Sequence, residues 1–128
     1  MRIVTIIARL LLGALMVFAG ANHIFNFLPK GPMPSGVAGL LLEGMIGSGY
    51  MTFVGASEVI AGLLLLVNRF TPLALTVLAA ITVNIIVVDA LVMPKALAVA
   101  AVVTLLWILA AFPVRRAFTP LLRQRATE

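Results

Sequence analysis

The sequence predicts an all-α polytopic membrane protein, an antiparallel four-helix transmembrane bundle with a short interfacial segment between helices 1 and 2. Three observations predict it. First, 63% of the 128 residues are hydrophobic and only 10% charged, with a mean hydropathy of +1.23, whereas soluble domains run at roughly half apolar and a quarter charged. Second, four apolar runs at about 10–28, 51–67, 72–93 and 96–112 each suit a hydrocarbon core of roughly 30 Å at a helical rise of about 1.5 Å per residue. Third, an even number of spans gathers Arg2, Arg9, Arg69, Arg115, Arg116, Arg123 and Arg125 on one side, against Lys30 and Lys95 on the other.

The elements follow in order. Span one ends near Leu28, and the apolar character that continues past Ala21 argues against a signal peptide cleaved at the Ala19-Gly20-Ala21 stretch. Residues 35–48 (SGVAGLLLEGMIGS) are too short and too mixed to cross, so they predict a helix lying in the interface, with Ser35 as its cap, Glu43 toward solvent and glycines that favour mobility. Spans two to four form tight antiparallel hairpins, with Thr71 as an N-cap before Pro72 in the first turn of span three, and Pro94 in the first turn of span four. The backbone must satisfy itself in lipid, which makes these runs helical despite their valines and isoleucines. Tyr50 and Trp107 fall where interfacial aromatic belts lie.

The whole chain, 1–128, is one transmembrane domain with a basic tail over 113–128. The formal charge of +5 reads as a positive-inside signal rather than a nucleic-acid surface, which places both termini in the cytoplasm. No cysteine is present, so a thiolate nucleophile or thiolate metal site is excluded. A lone histidine with carboxylates on separate spans lacks metal-site spacing, and no phosphate loop, catalytic triad or HExxH pattern occurs.

Polar residues inside spans carry the functional information, because even lenient scales charge about 2.5 to 3.5 kcal/mol for an aspartate at mid-helix. They are Asn22, His23 and Asn26 on span one, Glu58 on span two, and Asn84 and Asp89 on span three. Arg9 opens span one and can reach the interface. Counted from the span ends, all six lie in the outer half at similar height, so they are expected to meet inside the bundle. Asn22, His23 and Asn26 predict one polar face, while Asn84 and Asp89, five residues apart, predict different neighbours. Glu58 sits between Gly55 and Gly62, small residues that admit a neighbouring backbone. His23 is the intramembrane partner expected for it, with Asn84 or Asn22 completing the set.

The stretches RLLLGALMVFAGANHIFNFLP (9–29), VGASEVIAGLLLLVNRFTPLAL (54–75) and VNIIVVDALV (83–92) resemble, in order and spacing, the DoxX family of small four-span bacterial membrane proteins. The resemblance covers nearly the whole chain and carries the family pattern onto His23, Glu58 and Asn84. In many relatives histidine stands where this chain has Asp89, which puts in doubt any role that needs a second imidazole. The resemblance implies a membrane subunit or partner of a redox system, with an outward-facing polar pocket for quinone or proton handling. It implies quinone as the candidate cofactor, with none bound covalently, and the lipid bilayer and a membrane or periplasmic redox protein as partners; a homo-oligomer is compatible with it. The alternatives are a non-catalytic scaffold or assembly factor, whose polar cluster only fixes packing, and a small-solute transporter.

Overall fold

The computed structural model describes residues 2–29 and 31–125; Lys30 and the last three residues of the basic tail lie outside the described residues. Five α-helices follow one another: α1 (Arg2–Phe25), α2 (Gly36–Gly47), α3 (Tyr50–Leu66), α4 (Thr71–Leu91) and α5 (Leu97–Ala111). A 3-10 turn over Pro94–Ala96 leads into α5, and a 3-10 stretch over Phe112–Leu122 follows it. Three helical stretches, Arg2–Phe25, Thr71–Leu91 and Pro94–Leu122, are long and apolar enough to cross a membrane, and α2 with α3 makes a fourth if that pair, bent by 74°, counts as one span. Alone, the 17 residues of α3 reach about 25 Å. The chain is thus an all-α polytopic membrane bundle.

The packing order is a closed ring. α1 lies against α3, α3 against α4, α4 against α5, and α5 returns to α1. The α1–α3 seam is built on glycines, because two helices without a hydrophobic drive between them gain most from close backbone approach. A Cβ on Gly62 would come within 2.7 Å of the Gly13 carbonyl oxygen, and one on Gly55 within 2.6 Å of the Gly20 carbonyl oxygen. Both pairs are seven residues apart on both helices, the repeat that keeps one seam in register over two turns.

The two halves of the bundle differ. At the end where α1 starts and α3 finishes, Leu12, Leu65, Leu75 and Leu78 are each at most 1% exposed and pack with Met16, Ala61, Ala74, Val103, Ala110 and Ala111. Arg2, Arg9, Arg69 and the arginines after α5 all belong to this end. Arg9 does more than reach the interface: α1 begins at Arg2, and the Arg9 guanidinium donates to the Leu65 carbonyl in the last turn of α3, where cations are favoured. Trp107, expected in an aromatic belt, instead turns inward: its Nε1–H donates to the Leu75 carbonyl (2.8 Å) and its ring stands 6.2 Å from that of Phe118. The 3-10 stretch thereby folds back onto the bundle.

Two expected caps are absent. Thr71 is the first helical residue of α4, and its hydroxyl donates to Asn68 Oδ1 (3.0 Å) within the α3–α4 turn, which is set by left-handed Asn68 and Phe70. Ser35 stands at the N-cap of α2 but makes no capping bond from its side chain. Gly49, at a φ of 81° that glycine adopts without steric cost, turns α2 away from α3.

Candidate functional site

The polar end is where α1 and α4 finish and α3 begins. Glu58 is 2% exposed, and its Oε2 lies 3.1 Å from His23 Nδ1. Two physical facts bring them together. In a helix every Cα–Cβ bond leans toward the N-terminus. In this antiparallel pair, His23 therefore leans away from the polar end and Glu58 toward it, so the two converge although their Cα atoms lie at different heights. The glycine seam supplies the room: a Cβ on Gly55 would crowd the His23 Cβ at 2.9 Å, and one on Gly20 would crowd the Glu58 Cβ at 3.0 Å. Each glycine thus accommodates the ionisable side chain of the facing helix.

A cavity of about 500 Å³ adjoins the pair, between α3 and α4 and beneath α2. His23, Glu58, Asn84 and Asp89 line it among mostly apolar neighbours such as Leu42, Val54, Ile85 and Val88. Phe53 and Asn84 line it while remaining exposed, so it opens laterally between α3 and α4. A second cavity of about 470 Å³, bounded by Asn22, His23, Asn26, the segment after α1, and Leu42 and Ile46 of α2, lies on the other side of His23. The imidazole, with its side chain 29% exposed, borders both.

The six candidate residues therefore divide. His23, Glu58, Asn84 and Asp89 share one cavity. The expectation that Asn84 and Asp89 face different neighbours is corrected: α4 presents two adjacent stripes to the cavity, Ala80-Asn84-Val88 and Ile81-Ile85-Asp89, with Asn84 exposed at the rim and Asp89 buried at 7%. Asn26 is not on a helical face with Asn22 and His23. It stands past the end of α1 at a φ of 51°, the left-handed position that asparagine tolerates at helix ends. Asn22 is engaged by structure, its Oδ1 accepting the Leu28 N–H at 3.0 Å. Sequence reasoning missed the α2 contribution, Leu42, Met45 and Ile46, whose i, i+3, i+4 spacing was the available signal. Among the described residues no three acidic or histidine side chains are grouped to hold a metal.

A ring of apolar helices around a laterally open cavity with a buried acid–imidazole pair defines a multi-pass helical membrane protein, in contact with lipid, built around an internal polar site. The DoxX family model matches residues 4–91, and the chain belongs to the DoxX family. No curated protein and no solved structure matches it. The matched region contains His23, Glu58, Asn84 and Asp89 and ends before α5.

Proposed function

We propose that this chain is a membrane subunit or partner of a redox system and that its cavity binds a quinone headgroup, with His23 and Glu58 handling the proton. The observation that carries this reading is the 3.1 Å His23–Glu58 pair on the wall of a mostly apolar, laterally open cavity. Such a cavity, a few hundred Å³ with few convergent polar groups, fits a flat ligand with an apolar body and polar oxygens. Bound quinone would supply the two-electron, two-proton chemistry. Of the imidazole, Nδ1 is engaged with Glu58, which leaves Nε2 for the ligand. The pair has two states that differ by one proton. With Nδ1 protonated and Glu58 ionised, Nε2 accepts; when Nε2 takes a proton from the ligand, the Nδ1 proton passes to Glu58, and Nε2–H can then donate to a carbonyl oxygen. Taking up that proton neutralises the buried carboxylate, and releasing it restores the Glu58 charge beside the Nδ1–H that pairs with it.

The arginine-rich end is proposed to face the cytoplasm of a bacterial inner membrane, with the cavity toward the outer half and a membrane or periplasmic redox protein as partner. The leucine layer Leu12, Leu65, Leu75 and Leu78 closes the bundle beneath the cavity and disfavours a solute path across it.

One observation favours a scaffold instead: His23 and Glu58 bond to each other across the α1–α3 seam and Asn22 accepts the Leu28 N–H, as expected if those groups only fix packing. Titration of the purified protein in mild detergent with a decyl-substituted quinone separates the two. The redox reading expects saturable binding that Glu58→Gln and His23→Ala each weaken by about tenfold or more, with the fold retained in Glu58→Gln. Absence of binding to the wild type, or binding indifferent to both substitutions, leaves the scaffold.

A further inference from the structure

The cavity holds an ionisable group that the His23–Glu58 relay does not use. Asp89 is 7% exposed, lines the same cavity, and its carboxylate makes no hydrogen bond or ion pair with any other described residue. Among the described residues no cation offsets it: Lys95 is exposed and unpaired, and the arginines belong to the opposite end. Of the side chains that line the cavity with it, Met45, Ile85, Val88 and Met93 offer no strong donor, the Ser57 hydroxyl donates to the Phe53 carbonyl, and the Tyr50 hydroxyl makes no bond to Asp89. A carboxylate so placed is costly unless something brings it a hydrogen.

Position matters as much as chemistry. His23, whose Nε2 is left for the ligand, lies in the last turn of α1, and Asp89 lies in the last turn of α4; both line the cavity, so one aromatic ring with a polar group at each end would meet the two. The two ends are not equivalent. At the His23–Glu58 end, gain or loss of one proton by the pair lets Nε2 meet either a carbonyl or a hydroxyl. At the Asp89 end an ionised carboxylate accepts only, and it therefore selects a ligand that donates.

Resting on the quinone-site reading above, we infer that Asp89 makes the cavity selective for the reduced, dihydroxy form of a quinone-class ring over the carbonyl form. The second ring hydroxyl donates to the Asp89 carboxylate, and a carbonyl oxygen placed there meets an acceptor of like polarity. Asp89 is thus a specificity-determining residue of the site, distinct from the proton-handling pair.

The test measures equilibrium binding of a decyl-substituted hydroquinone and of the matching quinone, anaerobically, to the full chain in lipid nanodiscs. Wild type should bind the hydroquinone about tenfold or more tightly than the quinone. Asp89→Asn, whose amide also donates, should bring the two affinities to within about threefold of each other by gaining quinone affinity as hydroquinone affinity falls. The comparison of two ligands on the wild type needs no variant, so it stands even if Asp89→Asn folds poorly. Equal binding of both forms, or tighter binding of the quinone, overturns the Asp89 inference and leaves the quinone site in place. Binding of neither overturns both.

Discussion

Replacing Gly55 by alanine places a methyl group in the tightest part of the α1–α3 seam. The new Cβ would lie 2.6 Å from the Gly20 carbonyl oxygen, 2.9 Å from the His23 Cβ and 3.1 Å from Ile24 Cγ1, where ordinary contact begins at 3.4 Å. Relief requires the two helices to part by roughly 0.8 Å, enough to forfeit a quarter to a half of the dispersion energy along the seam. Overpacking of this kind costs about 1–3 kcal/mol, partly offset by the roughly 1 kcal/mol by which alanine exceeds glycine as a helix former. The net expectation is a loss of up to about 2 kcal/mol. Gly44, which has nothing within 4 Å of a built Cβ, provides the control, because Gly44→Ala carries the propensity gain without the clash. Detergent-induced unfolding in mixed micelles, followed by circular dichroism, should show opposite signs for the two substitutions. The same displacement takes His23 and Glu58 beyond hydrogen-bonding range, so Gly55→Ala should also weaken any ligand of the cavity. If Gly55→Ala stabilises the protein as Gly44→Ala does, the close-approach account of the site is wrong.

Three further expectations follow from individual contacts. Trp107→Phe removes the bond to the Leu75 carbonyl and should cost about 0.5–1.5 kcal/mol in the same unfolding assay, loosening the 3-10 stretch that carries Phe118; unchanged proteolysis after residue 112 would contradict this. Asn22→Ala deletes the acceptor of the Leu28 N–H and should raise amide exchange in residues 26–29 while leaving the His23–Glu58 pair intact, so that a large loss of helix signal counts against the assignment. Single cysteines introduced at Arg69 and Lys95 should label from opposite faces of the membrane, with Arg69 cytoplasmic, and labelling from the same face removes the proposed topology.

The apolar runs made the bundle legible, since length and hydropathy alone decide that a segment is helical and lipid-facing. The meeting of Glu58 and His23 was legible as well, because an acid at depth requires a nearby group able to bear the complementary charge. What the sequence concealed is geometric. Gly55 and Gly62 could be recognised as small neighbours of Glu58, but their partners Gly13 and Gly20 emerge only once the antiparallel register is known. Angular separation also misled for Asn84 and Asp89, because a cavity wider than one helix stripe gathers residues that a single contact line would divide. Asn26 was misread because its place on the helical wheel assumed a helix that had already ended, and Trp107 because a belt aromatic and an inward-turned one occupy the same sequence position.

The last helix has a consequence for how the protein is made. No lining residue of either cavity comes from α5, yet α5 touches both α4 and α1 and completes the ring. Helix α1 thus waits for α5 before its flank is covered, while every group of the polar site has been synthesised by Met93. Site and clasp are synthesised in that order. A chain truncated and released after residue 93 should hold all the cavity residues in the bilayer without the clasp that keeps their helices together. Such a chain should be degraded faster by membrane proteases than the full 128-residue chain, and equal lifetimes would show that α1, α3 and α4 hold their arrangement unaided.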